Sequence, residues 1–85
     1  MSAPDDRTRV LGVVECFVAV VNQCPSGSVR RMAENALAAV ERGGAAALPE
    51  QAFLVLTAVR GWQGERAAQV KRSLTAFLEG SAQTS

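Results

Sequence analysis

Glycine and proline decide what this chain can become. Pro25 with Gly27, Gly43-Gly44 followed by Pro49, Gly61 with Gly64, and Gly80 recur along its length. Glycine opens backbone conformations closed to other residues, and proline removes a donor, so these positions mark where regular structure stops or turns. Between them lie four segments, residues 7–22, 28–42, 49–60 and 65–79, each long enough for a short helix and too short for a membrane span.

Periodicity assigns all four segments to helix. The first holds six valines, which favour strand. Its spacing favours helix instead: Thr8, Gly12, Glu15, Ala19 and Asn22 form one polar-or-small stripe, opposite Val10, Val14, Phe17 and Val21. Asp5 or Asp6 after Pro4 is placed to cap it. In the second segment Val29, Met32, Ala33, Ala36, Leu37 and Val40 recur at three- and four-residue steps. Ser26 or Ser28 supplies its cap and Gly43-Gly44 its end. Pro49 suits the first turn of the third segment, where a missing N–H is no loss. That segment is apolar nearly all round, through Ala52, Phe53, Leu54, Val55, Leu56, Ala58 and Val59. The fourth carries Ala67, Val70, Leu74, Phe77 and Leu78 on one face, and Arg66, Gln69, Arg72 and Ser73 on the other.

The expected fold is therefore all-α. Short loops make sequential helices antiparallel, giving two helical hairpins in one domain over residues 1–85, with loose tails at 1–6 and 81–85. A four-helix bundle and a stacked, repeat-like pair of hairpins both fit. At an offset of 37, Leu37, Ala39, Val40 and Gly43 fall on Leu74, Ala76, Phe77 and Gly80, which leans toward stacking.

The same composition excludes most chemistry. The chain has no His and two Cys, so it offers no imidazole base and no four-ligand zinc cage of its own. No cofactor or metal is expected, and the glycines lack the strand and the Gly-Lys-Ser/Thr of a phosphate loop. Cys16 and Cys24 lie eight residues apart, about 12 Å of helical rise, beyond disulfide reach. Free thiols suit a cytoplasmic setting. Cys16 is expected to be buried, and Cys24, beside Pro25, to be the accessible thiol. The apolar run at 10–21 is broken by Glu15 and is too short to span a bilayer, so no membrane role is expected. Trp62-Gln63-Gly64 is similar to the Trp-x-Gly turn of small secreted helical-hairpin proteins, but the similarity covers three residues and does not extend to the flanking helix lengths.

What remains is association. A domain of this size buries only about 60–65% of its unfolded surface, and two of its segments are apolar on more than one face. Phe17, Phe53, Leu54 and Trp62 are the expected anchors for a protein partner or for self-association into an oligomer. The alternative is a small DNA-binding regulator contacting nucleic acid through Arg66, Gln69 and Arg72. A formal net charge of +1 gives that alternative little electrostatic drive.

Overall fold

The computed structural model describes residues 10–83, and side chains over residues 10–80. Among the described residues all regular structure is helical and no strand occurs. Four α-helical elements follow in order: α1 (Val13–Gln23), α2 (Gly27–Gly43), α3 (Leu48–Ala58) and α4 (Glu65–Gln83). A 3-10 turn, Gly44–Ala47, links α2 directly to α3, and a second, Val59–Gly61, extends α3. Helical backbone is thus unbroken from 27 to 61, so the described residues form three helical stretches rather than four separate helices.

The stretch between the second and third segments, residues 43–48, is helical and not an open loop, for a local reason. Gly44 takes φ +65, which turns the chain at a single residue. The three alanines that follow are strong helix formers and coil at once into the 3-10 turn that leads to α3. Pro49 sits in the first turn of α3, as its missing donor requires. Ser26 is the residue that caps α2: its Oγ accepts from Val29 N–H at 3.4 Å. At the far end Gly80 does not stop α4, which runs on to Gln83. A glycine inside a helix costs only about 1 kcal/mol, and no proline follows to enforce a stop.

The first helix begins later and faces elsewhere than its spacing suggests. Its expected caps, Asp5 and Asp6, lie outside the described residues. Residues 10–12 are not helical. Gly12 is the N-cap, and the Glu15 carboxylate accepts its N–H at 3.0 Å. The buried stripe is Val13, Cys16, Phe17, Val20 and, just beyond the helix, Cys24. Val10 and Val14, expected inside, are 59% and 46% exposed. Ala19, expected with the polar stripe, is buried.

Contacts between elements run in a ring. α1 packs on α2 and α4, α3 packs on the same two, and α1 touches α3 only lightly. The enclosed core joins Leu11, Phe17, Val20 and Cys16 to Ala33 and Ala36 of α2, Ala52 and Val55 of α3, Val59, and Val70 and Leu74 of α4. Phe17 is its one fully buried aromatic side chain. Phe17→Ala is expected to cost about 3–5 kcal/mol, a large share of the total stability of a domain this small. Phe53→Ala, at a position 58% exposed, is expected to change stability by under about 0.5 kcal/mol. Urea titrations of the two variants compare them directly.

Candidate interaction surface

The four expected anchors separate into three places. Phe17 has no exposed surface and belongs to the core. It cannot touch a partner while the chain is folded, because the centre of this small interior needs its one large ring. Phe53 and Leu54 stand together on the outward side of α3, 58% and 41% exposed. Their helix turns its other side, Ala52 and Val55 followed by Val59, into the core. Thr57 shares the outward side, its hydroxyl turned back to donate to the Phe53 carbonyl at 2.9 Å. Glu50 opens this face and Arg60 follows it, both exposed. Trp62 is half-buried elsewhere, lining with Cys24, Pro25, Val29 and Ala58 a mainly apolar cavity of about 260 Å³.

Four further exposed apolar side chains were not among the expected anchors, Val10 before α1 being the first. Val14 and Val18 form a ridge on α1, and Met32 is 40% exposed on α2. Val14, Val18, Leu11 and Ala19 line a shallow groove of about 320 Å³, rimmed by Glu15 and Arg66. The signal for this ridge lies in α1 itself. The stripe through Val13, Cys16, Phe17, Val20 and Cys24 is as apolar as the one through Val10, Val14, Phe17 and Val21, so sequence spacing left the phase open. Burial of Ala19 decides it, since a small side chain lets a neighbouring element approach closely.

The residues expected to contact nucleic acid are not gathered on one open face. Gln69 is fully buried. Arg66 is half-buried and donates through Nε to Gln23 Oε1 at 3.4 Å and through a terminal nitrogen to Gln69 Oε1. It ties the start of α4 to the end of α1 instead of reaching outward. Arg72 is exposed and already holds a partner. Ser73, expected on the wet face with these residues, is buried. Its Oγ accepts the Leu11 N–H at 2.9 Å, pinning the segment before α1 onto α4.

Neither thiol is exposed. Cys24 is 2% exposed, which corrects the expectation that it would be the accessible one. Its N–H bonds to the Val20 carbonyl at 3.0 Å, carrying the turn of α1 onward and placing the residue in the core beyond it. Cys16 is fully buried, and burial first, with the Glu15 charge second, pushes its thiol up to about 11 against a partial offset from a hydrogen bond with Ser73. Both cysteines are unpaired. Among the described residues no cluster of three or more His, Cys, Asp or Glu could hold a metal ion, and no helix is long and apolar enough to cross a membrane.

Comparison with protein-family models, with curated proteins and with solved structures gives no match.

Three outcomes are expected from this geometry. Both cysteines should react slowly with a thiol reagent in the native state, and rapidly in denaturant. The Cys16 contribution to stability is complete below the ordinary thiol pKa of 9.0 and is lost as pH rises toward about 11, because the unfolded chain ionises first. Ser73→Ala should cost about 1–3 kcal/mol, since it leaves a buried backbone N–H without its acceptor. Thermal melts of that variant measure the loss.

Proposed function

We propose that the chain is a small, non-catalytic protein–protein interaction module, of the adaptor, inhibitor or chaperone-like kind, that binds through apolar helix faces. One observation carries the reading: Phe53 and Leu54 stand side by side, exposed, on the open face of α3. Large apolar side chains placed together outside a core are the usual substance of a docking site. Val14, Val18 and Met32 add to the exposed apolar surface without joining that face.

The same reading takes the packing to be two hairpins, α1 with α2 and α3 with α4, closed into a four-membered bundle. The ring of contacts favours this over a stacked pair of hairpins, because α1 and α4 touch. Two unpaired thiols favour a reducing, cytoplasmic setting. The absence of His, together with a Cys16 thiol held protonated at neutral pH, supports a non-catalytic role. The alternative reading, DNA binding through α4, loses support from the burial of Gln69 and the internal bonds of Arg66.

The test is a double substitution, Phe53→Ser with Leu54→Ser. Dilute native protein should bind an environment-sensitive hydrophobic dye, and the double variant should lose most of that signal while keeping its helical circular dichroism. A native chain that binds no dye, or a variant that binds as much, contradicts the proposal.

A further inference from the structure

We propose that the occupant of the α3 face is a second copy of this chain, docked antiparallel across a two-fold axis that crosses α3 near residue 55. This rests on the reading of that face as a docking site and adds the partner and its register. The charges on the face carry the inference. Glu50 precedes Val55 by five residues, and Arg60 follows it by five. Both are exposed, and they flank Phe53, Leu54 and Thr57, Glu50 in α3 and Arg60 in the 3-10 turn that extends it.

In an antiparallel self-pair with its axis at residue 55, each residue opposes the one equally far on the other side. Glu50 then meets Arg60 of the second copy, and the arrangement repeats by symmetry. The two Leu54 side chains meet close to the axis, and Phe53 lies over Thr57 of the second copy. Each apolar side chain thus covers a neighbour that is apolar or has its polar group already bonded, as the Thr57 hydroxyl is. A parallel pair would set Glu50 on Glu50 and Arg60 on Arg60, so charge selects the antiparallel arrangement. Lys71 bonds to the Arg60 carbonyl at 3.2 Å, which leaves the guanidinium untouched by that contact.

The ridge on α1 lacks this property. The charged groups at its rim are already engaged within the chain: Glu15 accepts the Gly12 N–H, and Arg66 donates to Gln23 and Gln69. An α3 of 11 residues spans about 16 Å, which places the contact at the small end of specific interfaces. A weak, reversible dimer is expected.

Sedimentation equilibrium of the full chain at low ionic strength tests this. The native protein should show a concentration-dependent monomer–dimer equilibrium. Glu50→Arg and Arg60→Glu should each weaken it about tenfold, since each sets two like-charged pairs across the axis. The double charge swap should restore it, and Arg60→Lys should leave it nearly unchanged. Circular dichroism confirms that each variant is folded, and all the substituted positions are exposed. A native chain that stays monomeric overturns the self-docking. So does a double swap that dimerises no better than either single variant. If the chain is monomeric yet its dye binding depends on Phe53 and Leu54, the wider interaction reading survives and only the self-docking falls. If it is monomeric and binds no dye, both fall.

Discussion

The scarcity of interior volume governs this structure. Its core is built from one phenylalanine, two leucines at Leu11 and Leu74, two cysteines, several valines and a set of alanines. Ala33 and Ala36 are the fully buried residues of α2, and Ala52 takes the corresponding place in α3. Small side chains on facing helices bring the backbones close, and close backbones leave no room for larger groups. Met32, Phe53 and Leu54 are left outside as a direct result. The exposed apolar surface is the counterpart of a small, alanine-lined core.

Polar contacts hold the ends of this arrangement in register. The Ser73 hydroxyl takes the Leu11 N–H, and Arg66 joins Gln23 to Gln69. Both links fasten α4 to the α1 region, closing the ring that sequential packing alone would leave open. Of the three side chains expected to contact DNA, Arg66 and Gln69 are spent on the seam between the first and last helices, and Arg72 is exposed.

How far the sequence carries can be judged residue by residue. The helical class, a cap at Ser26 or Ser28, a helix end at Gly43-Gly44, Pro49 in a first turn and the burial of Cys16 follow from local chemistry; Ser26 is the cap, and Gly44 takes the positive φ. The phase of α1 is not legible, because valine occupies nearly every side of that helix and two stripes are equally apolar. Gln69 and Ser73 read as solvent-facing because polarity was the available signal, yet each is buried with a hydrogen-bond partner that only tertiary packing supplies. Cys24 follows the same logic, since its place beside Pro25 suggests a turn surface while the continued turn of α1 carries it inward. Of the expected anchors, Phe53 and Leu54 are available at the surface, Trp62 is partly so, and Phe17 is not.

The central proposal is that a second copy of the chain docks on the outward side of α3, and not on the ridge of α1. Residue-resolved nuclear magnetic resonance over a concentration series examines this most directly. The account predicts progressive, saturable shifts at Glu50, Phe53, Leu54, Thr57 and Arg60, with Val14 and Val18 unmoved. Shifts centred on Val14 and Val18, or a folded spectrum that does not change with concentration, would contradict it.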